Sequence, residues 1–165
     1  MTSLLKITSI IGALVFSSTT MAESNEMTHY REQATSLFQQ LKNKNPDKLE
    51  TKSKALLEIS KGIVKSNIKI LPQCQEYLTA LLNDADKIAL LPLAEIESGY
   101  HADGKLPPLK DGTCYHAKDL LVHPATVQAM AKQGINTKEE WKQAAHEIEE
   151  VLEHLSIVET VLAKQ

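Results

Sequence analysis

From Tyr30 to Leu162 the apolar residues of this chain recur at spacings of three and four, and no alternating run longer than a few residues competes with them. That period is the α-helix's, so the sequence predicts an all-α chain. Tyr30, Ala34, Leu37, Phe38 and Leu41 share one face of a first helix, with Thr28 as its cap and a turn after Lys42. Asn45 as cap and Pro46 at the first helical position open a second, whose stripe is Leu49, Leu56, Ile59, Ile63 and Ile70. A third starts beside Pro72, carries Cys74, Tyr77, Leu78, Leu81, Ala85 and Ile88, and ends or kinks at Pro92; residues 93–98 make one further turn. Pro124 and Gly134 bracket a short helix, because the residue before a proline is pushed out of the helical region. Thr137 and Glu140 form a capping-box pattern that opens a last helix, striped by Trp141, Ala144, Ile148, Val151, Leu155 and Val158. The expected architecture is an antiparallel bundle of about four long helices plus a short one, with one long irregular loop.

With 165 residues, 42% of them hydrophobic, the chain can bury a core and is not disordered. Its net charge of −3, without a block of like charges, indicates neither nucleic acid nor a polybasic membrane patch. Residues 1–22 have the order of a secretory signal peptide: Lys6, a short apolar run, then small residues ending at Ala22. The run is about half the ~20 residues a membrane span needs, so no membrane anchor is expected after cleavage. Residues 23–165 are then a single helical domain, exported to the periplasm or secreted. Export favours oxidation of the two cysteines, Cys74 and Cys114, into a disulfide closing a loop of about 40 residues, worth ~4 kcal/mol on the chain-entropy model.

Segment 99–123 holds the chemistry. Three of the six His and two of the four Tyr fall within it, and its first part carries Gly99, Gly104, Gly112, Pro107 and Pro108. A loop this long and clamped by a disulfide is the natural recognition surface, with Tyr100, His101, Asp103, Tyr115 and His116 as ligand-binding candidates for a protein or small-molecule partner. The same segment offers a metal set, His101, His116, His123 and Asp103, suited to Zn or Cu and to a metal-dependent enzyme. His116 and His123 lie seven apart, about 10.5 Å on a continuous helix, so sharing an ion requires His101 or a break at Pro124. The plainer expectation is that His123 caps the next helix, Tyr115 and His116 cover the disulfide, and Asp103 with Gly104 turns the chain.

Elsewhere the residues read as structural. On a helical wheel His146 and Glu150 face solvent, His154 sits on the border of the stripe, and Glu159 falls inside it. Glu95 with Glu97, and Asp84 with Asp86, are two apart and diverge as surface charge. No Gly-x-Ser-x-Gly, phosphate loop or His-Glu-x-x-His occurs, so the sequence favours binding over catalysis. A third expectation is a structural or host-directed interaction protein acting through its helix surfaces. The disulfide makes the first test: Cys114→Ser should melt several degrees below the parent, and the parent should titrate no free thiol.

Overall fold

The apolar stripes wind into six α-helices in a computed structural model that describes residues 19–164, with side chains from residue 25 onward. They are α1 (Thr19–Lys42), α2 (Leu49–Ile70), α3 (Gln75–Ile88), α4 (Leu93–Ile96), α5 (Gly112–Gln133) and α6 (Lys138–Leu162). A 3-10 turn, Pro72–Cys74, leads into α3, and α4 runs on into a π-helical turn, Glu97–His101. Among the described residues no strand occurs, and no helix is long and apolar enough to cross a membrane. Most of the expected signal peptide, residues 1–18, lies outside the described residues, and Thr19 to Ala22 belong to α1.

The long helices touch in a ring: α1 packs on α2 and α6, and α5 packs on α2 and α6, while α3 lies against α2 and α5. Leu37, Leu56, Ile63, Leu78, Leu81, Leu120, Ile148 and Leu155 fill the interior. The Cys74–Cys114 disulfide forms as expected and staples the entry of α3 to the first turn of α5. The capping box is also present: Thr137 Oγ1 accepts from Glu140 N at 3.1 Å, and Glu140 accepts from Thr137 N at 2.8 Å.

Three helix starts differ from the sequence expectation. Thr28 lies inside α1, not at its head. Asn45 uses its side chain to accept from Asp47 N at 3.0 Å in a turn, and α2 begins at Leu49 after a left-handed Lys48. Most important, no helix starts at Pro124: α5 begins at Gly112, capped by the Asp111 side chain at 2.8 Å from Thr113 N, and runs unbroken through His123 and Pro124. Residues 117–130 are all buried, so this is a central helix wrapped on every side.

A mid-helix proline leaves the carbonyl four residues earlier without its N–H donor. Here that carbonyl belongs to Leu120, and the fully buried Tyr30 hydroxyl of α1 donates to it, with Ser60 Oγ of α2 at 3.5 Å from the same hydroxyl. Burial pushes the Tyr30 hydroxyl far above the usual phenol range, so it stays a donor. The irregular excursion shrinks to residues 102–111 and is tied down at its start. Gly104 N donates to Ser98 O at 3.1 Å and Lys105 N to Gly99 O at 2.8 Å, and a Cβ on Gly104 would stand 2.4 Å from Ser98 O. Tyr30→Phe, which strands the Leu120 carbonyl, should cost about 1–3 kcal/mol and a Tm drop of several degrees, read by thermal melts of both proteins.

Candidate functional site

Because α5 is continuous, His116, Asp119 and His123 stand on one face of it at spacings of three and seven. Helix α6 runs antiparallel across that face. His116 meets His154, with their Nδ1 atoms 2.7 Å apart, and seven residues along each helix His123 meets Glu147, Nδ1 to Oε2 at 2.8 Å. From the π-helical turn His101 enters between them, its Nε2 3.0 Å from Thr126 Oγ1 and 3.7 Å from Glu147 Oε2. The rings form a chain of contacts: His101 to His123 at 4.8 Å between centroids, His123 to His154 at 5.5 Å and near-parallel, His154 to His116 at 5.0 Å.

His101 is held in place by Lys118, whose side chain is completely buried. Its Nζ donates to the carbonyls of Tyr100 and His101, at 2.9 and 3.0 Å, and to Asp103 Oδ1 at 3.1 Å. Asp103 also accepts from Tyr77 at 2.7 Å and has a left-handed backbone. An ammonium at the carbonyl end of a helical turn is favourably placed for the helix dipole as well. Lys118 has thus spent its three protons. Asp119, 1% exposed, lies beside two donors that pull its carboxyl down, the Lys118 ammonium 3.2 Å from Oδ1 and the Tyr115 hydroxyl, yet neither oxygen is met by a well-aligned hydrogen bond. Both its oxygens are buried without a hydrogen bond, a condition that costs free energy unless something else compensates.

Electrostatics agree with that description. Burial pushes the Asp119 carboxyl up to about 7 against the pull of Lys118, and raises Glu147 as well. Burial also pushes the His123 and His154 imidazoles down to about 4, and His101 and His116 below their ordinary value. The negative Asp119 beside it, with burial, holds Tyr115 near 12. At neutral pH the four imidazoles are therefore uncharged, each with a nitrogen lone pair to offer.

Two groups within this chamber have the chemistry of a metal site: His101, His123 and Glu147, and Asp119, His123 and His154, with the ligand atoms of each within 4.8 Å of one another. Tetrahedral ligands about 2.0–2.2 Å from an ion stand roughly 3.3–3.6 Å apart. The separations of 3.7 Å (His101 to Glu147) and 3.5 Å (His154 Nε2 to Asp119 Oδ2) are close to that, and His123 Nε2 to Asp119 Oδ1 is 3.9 Å, whereas His123 Nδ1 and Glu147 Oε2, 2.8 Å apart, hold a hydrogen bond that has to open by about 0.5 Å to admit an ion. Glu150 Oε2, 3.7 Å from His123 Nδ1, borders the first group.

Of the residues expected from sequence, His101 and His123 come together, and His116 joins through His154. Asp103 is engaged by Tyr77 and Lys118 instead, and Tyr100 is buried with its hydroxyl 3.2 Å from Asp84. Tyr115 lies at the surface, 36% exposed, its ring beside His116, His154 and the Lys118 ammonium. His123 caps no helix. His154, expected on the border of its stripe, turns inward, 13% exposed at its side chain, whereas His146 stays out as expected. Glu147 and Asp119 were missed. A signal for the α6 pair exists: the seven-residue spacing of His116 and His123 is matched by Glu147 and His154. Glu159, on the stripe, pairs with Arg31 of α1. No protein-family model, curated protein or solved structure matches this chain.

A His held below its unfolded value of 6.5 binds its proton better in the unfolded chain, so its cost to stability grows as pH falls from 6.5 towards 4. Asp119, held above its ordinary 3.8, acts oppositely and is relieved as pH falls through 7. Four lowered imidazoles outnumber the two raised carboxyls. Metal-free protein should therefore lose several degrees of Tm between pH 6.5 and 4.5, and His154→Gln should flatten that slope in a pH series of melts.

Proposed function

We propose that this is an exported metal-binding protein whose four long helices form an antiparallel bundle, with a divalent transition metal ion held between α5 and α6. The observation that carries this is Asp119: a buried carboxylate whose two oxygens have no well-aligned hydrogen bond although Lys118 is 3.2 Å away, facing uncharged imidazoles that have lone pairs to give. A cation satisfies all of them at once, whereas a proton satisfies one. Imidazole with carboxylate suits Zn and Cu. Asp119, His123 and His154 supply three protein ligands, and three leave an open position for water or a small ligand.

Export rests on the sequence of residues 1–22 together with the disulfide, which fits an oxidising compartment. The Gly and Pro segment then serves as scaffold: through Lys118 and Asp103 it holds His101 over the chamber.

Tag-free protein stripped of metal should take up Zn2+ at micromolar concentration in a calorimetric titration. Saturation to a hundredfold over Kd should stabilise it by about 2.7 kcal/mol, a Tm rise of several degrees. His123→Gln should abolish most of both effects. A folded parent that takes up no Zn2+ or Cu2+ overturns the proposal and returns the function to the surface of segment 99–123, where Leu109 and Tyr115 are exposed.

A further inference from the structure

The two ligand groups share one residue, His123, and use opposite sides of its ring. Nδ1 faces Glu147 Oε2 at 2.8 Å, with Glu150 Oε2 at 3.7 Å, while Nε2 faces Asp119 Oδ1 at 3.9 Å. The lone pairs of the two ring nitrogens diverge, so one ion can take only one of them. A single ion on the Nδ1 side leaves Asp119 and His154 idle, and both Asp119 oxygens still without a well-aligned hydrogen bond. A single ion on the Nε2 side leaves His101 and Glu147 idle. From this geometry we infer that the chamber is a dinuclear centre in which the His123 ring bridges two divalent transition metal ions. The inference rests on the metal-binding proposal above and deepens it.

One ion lies among His101 Nε2, His123 Nδ1 and Glu147, at the edge marked by Glu150. The second lies among Asp119, His123 Nε2 and His154 Nε2, where Asp119 turns one oxygen to each imidazole. His154 is oriented for that task by His116: a ligating imidazole commonly donates its other N–H, and Nδ1 of His154 has Nδ1 of His116 at 2.7 Å to receive it. Bridging requires His123 to lose its remaining ring proton, which passes to the buffer when the second ion binds. Charge then balances. Two divalent ions are met by Asp119, Glu147, Glu150 and the imidazolate, while the Lys118 ammonium, 3.2 Å from Asp119 Oδ1, is shared with Asp103 at 3.1 Å.

Copper titration of the metal-free full chain reads the bridge directly. Two equivalents of Cu2+ should bind. The paramagnetic resonance signal should grow over the first equivalent and shrink over the second, as the spins couple through the imidazolate, and calorimetry in buffers of different ionisation heat should show a proton released in the second step. Asp119→Asn and His154→Gln should each reduce the stoichiometry to one with an uncoupled signal, and His101→Gln should do the same from the other side, circular dichroism confirming that all are folded. One equivalent in the parent overturns the second ion and leaves the metal-binding proposal standing. Two equivalents whose signals simply add overturn the bridge. No binding at all overturns both proposals, so the three failures are distinguishable.

Discussion

One hydroxyl makes the centre of this protein possible. Pro124 interrupts the hydrogen-bond ladder of α5 in the middle of a buried helix, where an unmet carbonyl cannot turn to water. Tyr30 reaches from α1 to meet the Leu120 carbonyl, and α5 passes through the proline without a break. Everything in the chamber depends on that continuity. Asp119 and His123 are one turn apart and on one face only because the helix between them is regular, and His123 stands immediately before the proline. A break there would swing His123 away from Glu147.

The second constraint is the buried Lys118. Its three hydrogen bonds pin the π-helical turn onto α5, which brings His101 across from an irregular part of the chain to the edge of α6. The same three bonds explain the state of Asp119. An ammonium 3.2 Å away would ordinarily satisfy a carboxylate, but this one aims its protons at the Tyr100 and His101 carbonyls and at Asp103, and reaches Asp119 only as a charge. One residue therefore both assembles the chamber and leaves an unmet acceptor inside it.

A helical core this rich in ionisable groups is costly unless the groups answer one another. His116 with His154, and His123 with Glu147, are matched pairs across an antiparallel interface. Such pairing orients the imidazoles, and burial keeps them uncharged. This concentration of ionisable groups distinguishes the cluster from the apolar layers of Leu56, Leu81 and Ile148 around it.

The sequence by itself determined the helical class, the disulfide between Cys74 and Cys114 and the capping box at Thr137, because each is set by local spacing or by covalent chemistry, and its count of histidines pointed to His101, His116 and His123. It misplaced the start of α5 because a proline favours a helix start over a helix interior, and the rescue of Leu120 comes from a residue 90 positions away. The predominance of apolar residues over 120–131, interrupted by His123, Thr126 and Gln128, was the local sign of a wrapped central helix. His154 and Glu147 lie at the flank of their own stripe, where a wheel assigns them to the border. Only the packing of α5 against α6 decided that this flank faces inward, since burial belongs to pairs of surfaces and a helix read alone carries half of that information.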